Sequence, residues 1–411
     1  MMLRKLAATL AAVAVTVGLA VTLSLISPLR TPPAETVELV RATKLACATA
    51  GRVLGLGEGE IVSAPLDGGD ATSGTGQVDA ATQGPSTLSA AAPLVGGVLA
   101  EQPTRSWTRC ETPSPEGMVL VSDPGSTELV VVNSDANEAV IDLALLGADG
   151  EIAAVGARGI AVAPGVSRTV ALSVLAPDGP VGVVYTASQG RVAVVARPVE
   201  GRTGATVGSA AAQTSQTVAG IPAGATSTTL LLSNPSEDRV EVGVEALGAS
   251  SAYEPAPAAG ISLAPRSTQR IDLGASLGGE ASALRVTSSV AIGAAVQVSG
   301  ADAVASSLVA GVPGERLGAL VPQAEAVQVT NPGTAPAKVE LTVAEAPVEV
   351  EVAAGTTTAV NVTAAGLTAL RVEADVPVLA SALSGGTVIP LDIVVEDESS
   401  AGVVVLDPSL R

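Results

Sequence analysis

The strongest constraint on this chain is internal repetition. Three segments run as an apolar strand into an asparagine: Glu128-Leu129-Val130-Val131-Val132-Asn133, Thr229-Leu230-Leu231-Leu232-Ser233-Asn234-Pro235 and Ala326-Val327-Gln328-Val329-Thr330-Asn331-Pro332. The asparagines stand 101 and then 97 residues apart. A short polar turn follows each, then alternation: Ile141, Leu143 and Leu145; Val240, Val242 and Val244; Val339, Leu341 and Val343. A period of two places successive side chains on opposite faces, the mark of a half-buried strand. A corner recurs next, Val162-Ala163-Pro164-Gly165, Leu263-Ala264-Pro265-Arg266 and Val352-Ala353-Ala354-Gly355, each leading into another alternating strand. Pro and Gly there suit edges and hairpin corners. Each copy closes on a Val-rich strand, Arg191 to Pro198, Ser289 to Val298 and Asp375 to Leu383.

A repeat of this length with six or seven short strands matches an immunoglobulin-like sandwich in size and rhythm. The expected fold class is therefore all-β: tandem immunoglobulin-like β-sandwich repeats after one N-terminal transmembrane helix. The expected domains are an anchor at 1–29, an irregular β region with the disulfide at 30–116, and repeats at 117–200, 217–300 and 315–395. A C-terminal strand or tail follows at 396–411. The third copy is about eight residues shorter between its asparagine and its corner, which predicts a shorter loop or hairpin there. Within 30–116, the Gly/Ser/Thr/Ala-rich stretch from Asp67 to Ala92 shows little periodicity and is expected to be a long loop or flexible insert. Trp107, just before Cys110, is expected to cover the disulfide or plug the first sandwich.

Composition narrows the chemistry. Phe is absent and aromatics are 1% of the chain, so Val, Ala and Leu must fill the interior. Such residues suit thin β-layers better than a deep cofactor pocket. The formal charge is −19. A field of that sign opposes nucleic-acid phosphates, and few aromatics are present to stack on bases, so no nucleic-acid partner is expected.

The start of the chain reads as a membrane anchor. Arg4 and Lys5 precede an uncharged run from Leu6 to Ile26. As a helix that run spans about 31 Å, enough for a bilayer core of ~30 Å. No small-x-small cleavage site follows in Ser27-Pro28-Leu29-Arg30, so an uncleaved single-pass helix is expected, with a cytoplasmic N-terminus and an extracytoplasmic bulk. Cys47 and Cys110 then lie where oxidation is permitted, and an even count there predicts a disulfide; two buried free thiols are the alternative. Lys44-Leu45-Ala46-Cys47 carries a lysine where a lipoprotein signal needs an apolar residue, so lipidation is not expected.

Catalytic signatures are sparse. Histidine is absent, which removes Ser-His-Asp and Cys-His arrangements and the commonest zinc ligand. None of the three lysines, Lys5, Lys44 and Lys338, follows a phosphate-cradling glycine loop, and Gly55, Gly57 and Gly59 lack the full dinucleotide fingerprint. Asp67 with Asp70, and Glu396 with Asp397 and Glu398, could serve acid/base or calcium chemistry but lack calcium-loop spacing, so a solvated acidic face is the plainer reading. Sugar sites favour aromatic platforms, and only Trp107, Tyr185 and Tyr253 are available. Asn361-Val362-Thr363 is a formal glycosylation sequon that reads as strand. No catalytic, cofactor-binding or metal-binding residue is assigned, and no cofactor is expected.

The runs Trp107-Thr108-Arg109-Cys110-Glu111-Thr112-Pro113, Leu129 to Ser134 and Leu146-Gly147-Ala148-Asp149-Gly150 resemble an actinobacterial family of large secreted or membrane-anchored proteins of unknown function. The resemblance covers the anchor, both cysteines and the repeats. This chain departs from it at Ala48, where Pro is expected, and at Met118, where an aromatic is common. Members are often encoded beside a large membrane glycosyltransferase, which implies a cell-envelope context and no particular reaction. The resulting expectation is a noncatalytic, membrane-anchored scaffold or accessory protein of the envelope, supporting glycan or polymer assembly. Its partner would be an envelope protein, with a membrane glycosyltransferase the candidate. The alternative is an envelope glycan-binding protein or carboxylate-dependent hydrolase. Acids clustered with an aromatic in one cleft would favour that alternative; scattered acids and no deep pocket would favour the scaffold.

Overall fold

The computed structural model describes residues 35–38, 43–102, 104–176, 178–300, 305–394 and 403–406. It is nearly all β, in several antiparallel sheets. Two compact units are distinct. In one, Glu35–Glu38 (β1) pairs antiparallel with Val403–Leu406. The other spans residues 41–396. The expected anchor, Leu6 to Ile26, lies outside the described residues. Among the described residues, no helix is long and apolar enough to cross a membrane.

The larger unit opens with a curled sheet of six strands: Thr43–Cys47 (β2), Gly51–Pro65 (β3), Thr72–Thr82 (β4), Ser86–Ala90 (β5), Leu94–Ala100 (β6) and Ser106–Arg109 (β7). The long β3 pairs with β4 along one edge and with β6 and then β5 along the other. Its register breaks between Leu56 and Glu60, and Gly59 there has φ 71. The glycine patch therefore bends a strand. Leu45, Val53, Ile61, Val78, Leu88 and Val98 form the core together with Cys47 and Cys110, which are bonded to each other.

This sheet corrects the expectation of a flexible insert. Most of the Asp67–Ala92 stretch is β4 and β5, and Val78, Ala80 and Thr82 alternate inward. The inward positions hid the period, because Ala80 and Thr82 are small or polar and carry little hydropathy signal.

Three sandwich-like units follow with one topology. The first comprises Glu116–Val121 (β8), Thr127–Asn133 (β9), Ala139–Gly147 (β10), Gly150–Ile152 (β11), Ile160–Val162 (β12), Val166–Ala171 (β13), Val181–Gln189 (β14) and Ala193–Pro198 (β15). One sheet runs β8-β14-β10-β11, with β12 also on β10, and the other runs β13-β9-β15. The second unit comprises Gln213–Ile221 (β16), Ser227–Asn234 (β17), Val240–Leu247 (β18), Ala252–Tyr253 (β19), Ile261–Leu263 (β20), Ser267–Asp272 (β21), Ser282–Ser299 (β22) and Ala305–Val309 (β23). The third comprises Gly314–Val321 (β24), Ala324–Asn331 (β25), Ala337–Val343 (β26), Ala346–Val352 (β27), Thr356–Ala364 (β28), Thr368–Ser384 (β29) and Thr387–Ile393 (β30). Here one long strand serves both sheets. The first half of β22 pairs with β16 and β18 and its second half with β17, and β29 behaves alike. In the first unit the equivalent strand breaks into β14 and β15, beside Gly190 at φ 75. The missing residues of the third unit leave a direct hairpin, β26 to β27, through Ala344 and Glu345 at φ 49 and 71.

The repeated asparagine is a clamp. Asn133, Asn234 and Asn331 are fully buried. Each amide nitrogen donates to two carbonyls, one in the turn that follows and one at the corner: Asn137 and Val162 (2.8 and 2.9 Å), Asp238 and Ala264 (2.7 and 2.9 Å), Ala335 and Val352 (2.8 and 3.1 Å). Each side-chain oxygen accepts the backbone N–H two residues on, at Asp135, Ser236 and Gly333. An amide is the side chain that supplies two donors and an acceptor at this reach.

The corner also explains an exception to the repeat. Gly165 and Gly355 hold φ 65 and 68, and Arg266 takes the same place at φ 51. A side chain is disfavoured there. Its guanidinium donates to Pro235 O at 2.9 Å and pairs with Glu151 of the first unit, so a strained backbone carries an inter-unit tie.

Successive units pack head to tail. The outer face of the second unit's β17 and β21 sits on β8 and β14 of the first, where Met118 and Leu120 meet Leu231 and Ala295, and Gly182 leaves room for Ser233 and Thr268. The third unit repeats the arrangement on the second: Thr357 donates through Oγ1 to Leu247 O at 2.8 Å and through N to Gly248 O at 2.9 Å. The N-terminal sheet closes the series at both ends. Ala46 and Ala48 cover Val130, Val132, Ala193 and Val195 of the first unit. Leu54, Leu56 and Val95 cover Leu320 of the third. The residue before each asparagine reports its neighbour. It is Val132 against the apolar sheet, and Ser233 or Thr330 where hydroxyls face another sandwich.

Candidate functional site

The stretch from Ser106 to Ser114 is where all four parts meet. β7 touches β23 of the second unit and β30 of the third. Trp107 lies over Gly97 and packs against Leu54, Leu56, Val95 and Leu320 and the third unit's core. This corrects its expected place over the disulfide or in the first sandwich. The alternation of β7 points the indole away from the sheet's own core, toward the third unit. Arg109 forms an ion pair with Asp392 on β30. Cys110 N donates to Gly96 O at 2.9 Å, and Glu111 exchanges two backbone hydrogen bonds with Ala46, at 2.8 and 2.9 Å. Ser114 and Val192 then tie the chain to the first sandwich.

Beside this segment opens a cleft of about 330 Å³, whose lining includes Leu45, Leu94 and Val95 together with Arg109, Glu111, Glu116, Tyr185, Ser209 and Asp392. Glu111 Oε1 accepts from Ser209 N at 2.8 Å, and Oε2 accepts from Ser209 Oγ at 2.5 Å. Gly208 leaves room for this approach, since a Cβ there would lie 2.7 Å from Oε1 and push the carboxylate aside. Tyr185, 1% exposed, places its hydroxyl 3.4 Å from Ser209 Oγ. Burial pushes the Glu111 carboxyl up to about 7, against the opposing pull of the Ser209 hydrogen bonds and Arg109. Burial also raises Tyr185 to about 12, with Glu111 and Glu116 adding to the shift. Asp392 is raised by burial and partly restored by Arg109. The arrangement offers a carboxyl raised toward neutrality, two hydroxyls and several apolar side chains.

Of the residues singled out from sequence, the structure brings Cys110 and Tyr185 to this cleft. Cys47 lies behind it, paired with Cys110. Asp67 and Asp70 are exposed, and Asp67 accepts Gly69 N at 3.2 Å in its own turn. Glu396, Asp397 and Glu398 lie outside the described residues. Tyr253 belongs to the second unit, 3.4 Å from Ser276 O. Asn361 pairs with Ala326 within β28 and β25. Ser209 and Asp392 carry no sequence signature, and Arg109 and Glu111 stood only within the run that carries the family resemblance, with no role assigned. The nearest clue was the position of Glu111 directly after a disulfide cysteine.

The fold and its junction define a protein of tandem β-sandwich-like units locked into one body by a disulfide-bearing N-terminal sheet. Residues 106–313 match the model of a family of unknown function, DUF5719, and the chain belongs to that family. The match begins at the first residue of β7 and takes in the first two sandwich units. No curated protein matches. A solved Ca2+-stabilized adhesin that helps an Antarctic bacterium reach out and bind ice is 12% identical over 88% of this chain and 100% of that one, with a TM-score of 0.12. At that score the likeness carries no argument.

Proposed function

We propose that the chain is a noncatalytic, extracytoplasmic scaffold of the cell envelope, anchored by the helix expected at Leu6 to Ile26. It would brace a partner in glycan or polymer assembly, with a membrane glycosyltransferase the candidate. The observation that carries this reading is the interlocking of the N-terminal sheet with all three sandwich-like units, through Ala46 and Ala48 on the first, β7 on the second and third, and Leu54 and Leu56 on the third. The disulfide is consistent with an oxidising compartment. We read the units as relatives of the immunoglobulin-like sandwich. Pairs equivalent to B–E and C–F are present, while the first and last strands are exchanged between sheets. Crosslinking in intact cells, followed by identification of the captured protein, tests the scaffold reading. Capture of an envelope assembly enzyme supports it, and capture of cytoplasmic proteins alone would sink it. Protease added outside the cell should digest residues 41–396 while a membrane fraction keeps the original N-terminus.

A second reading, glycan binding, is favoured by one observation: Glu111, Glu116 and Asp392 gather with Tyr185 in a single cleft. Binding of soluble sugars to the intact chain, measured by calorimetry, tests it.

A further inference from the structure

A second cleft, of about 590 Å³, opens at one end of the N-terminal sheet, between it and the stretch 198–204 that leaves the first sandwich. That stretch is held in place: Val199 N donates to Ser126 O and Arg202 N to Val199 O, both at 2.9 Å. The sheet's interior changes character toward the cleft. Leu45, Val53 and Val98 pack with the disulfide as an apolar core. Thr49, just past Cys47, and Ser106 and Thr108, just before Cys110, then replace apolar side chains with hydroxyls, all at most 5% exposed. Thr49 and Thr104 line the cleft, and the Oγ1 of each has no hydrogen-bond partner among the described residues; nor has that of Thr108. A buried hydroxyl left unpaired costs stability, and native proteins hold few. Two on one cleft wall mark a place that something outside the chain completes. The lining charges cancel. Arg197 is paired with Glu128 at 2.9 Å, and the lining holds one further cation, Arg202, and one further anion, Glu200.

We propose that this cleft binds a short neutral saccharide of one or two sugar units. A sugar hydroxyl both donates and accepts, as the hydroxyls of Thr49, Thr104, Ser106 and Thr206 do, so the two groups complete each other. Gln83 and Gln102, exposed at the rim, add amide donors and acceptors. A lining without net charge gives no advantage to an anion or a cation, which leaves a neutral ligand as the match. The volume falls within the ~300–1,000 Å³ of small-molecule sites, and the mouth of a curled β-sheet is one of their usual places. No aromatic lines the cleft, so hydrogen bonds carry recognition and affinity is low. This cleft shares no lining residue with the one at Glu111, and the inference does not rest on that reading.

The test is ligand-detected NMR titration of the intact chain, which reads weak binding, with cellobiose, glucose, glucuronate and glucosamine as probes. Cellobiose should bind most tightly, and neither charged sugar should exceed glucose. Thr49→Val and Gln83→Ala should each weaken cellobiose about fivefold, as the loss of one hydrogen bond does. Thr49→Val should also melt level with the native chain or above it, because the hydroxyl it removes has no partner in the free protein. Gln83 is exposed in the turn before β5, so its variant keeps the fold and decides the matter if the other does not. Binding of none of the four sugars overturns the proposal. Cellobiose binding that persists undiminished in both variants places the sugar elsewhere, which overturns this site and leaves the glycan reading of the Glu111 cleft standing. A preference of about tenfold for glucuronate or glucosamine over glucose overturns the neutral class. A Thr49→Val chain that melts below the native one assigns that hydroxyl to the fold and removes it from the site.

Discussion

Replacing Asn234 with alanine removes four hydrogen bonds at once. The amide donates to Asp238 O and Ala264 O, and its oxygen accepts from Ser236 N and Ser236 Oγ, all between 2.7 and 3.0 Å. At about 1 kcal/mol net per bond the gross loss is about 4 kcal/mol. Ser236 and Asp238 lie near solvent and can recruit water, which leaves about 3 kcal/mol. Opening of the turn should then become roughly a hundredfold more frequent. Amide hydrogen exchange at Ser236 reads this directly, because that N–H is held by the side chain being removed. Asn234→Asp should be worse than alanine at pH 7, since it sets a carboxylate against two carbonyl oxygens. Its cost should shrink as pH falls through the range where that carboxylate protonates. A change in Ser236 exchange of less than threefold in the alanine variant would refute the clamp. The same test at Asn133 and Asn331 gives two internal replicates.

Other outcomes follow from the same structure. The Glu111 carboxyl rises from its ordinary 4.5 to about 7 on folding, so the folded state binds its proton more tightly. Stability should decline as pH climbs from about 4.5 to 7, by up to about 3 kcal/mol, and Glu111→Gln should flatten that slope in thermal melts. Cys47 and Cys110 close a loop with a separation of 63, worth about 4 kcal/mol in the chain-entropy account. Nonreducing peptide maps should recover the two cysteine peptides linked, and Cys47→Ser with Cys110→Ser should melt well below the native chain. Ala344 and Glu345 hold positive φ without glycine, so Ala344→Asn with Glu345→Gly should stabilise the third unit by about 1–2 kcal/mol in urea titrations.

The repeat was legible because its signals are local. The asparagine, the alternating strand and the corner each sit within a few residues, and the structure gives each one a place. Trp107 and the Asp67–Ala92 stretch were not legible, for different reasons. The direction of Trp107 depends on a partner surface more than 200 residues away in sequence, at Leu320. The stretch is read as strand only once β3 supplies the edge for β4, since inward residues as small or polar as Ala80 and Thr82 carry little hydropathy signal. The cleft was least visible, because Arg109, Ser209 and Asp392 are ordinary residues until folding brings three parts of the chain together.

The head-to-tail contact between sandwich units has a further consequence. A contact that joins one face of a module to a different face of the next ends only if the rotation closes into a ring; otherwise, between separate molecules, it grows filaments. Within this chain the N-terminal sheet acts as a terminator at both ends of the series, through Ala46 and Ala48 on one side and Leu54 and Leu56 on the other. Two outer sandwich faces, at Val130, Val132, Ala193 and Val195 and at Leu320, are thereby covered intramolecularly. A nick or misfolding event that released that sheet would expose those apolar faces to other molecules, the setting in which chains associate.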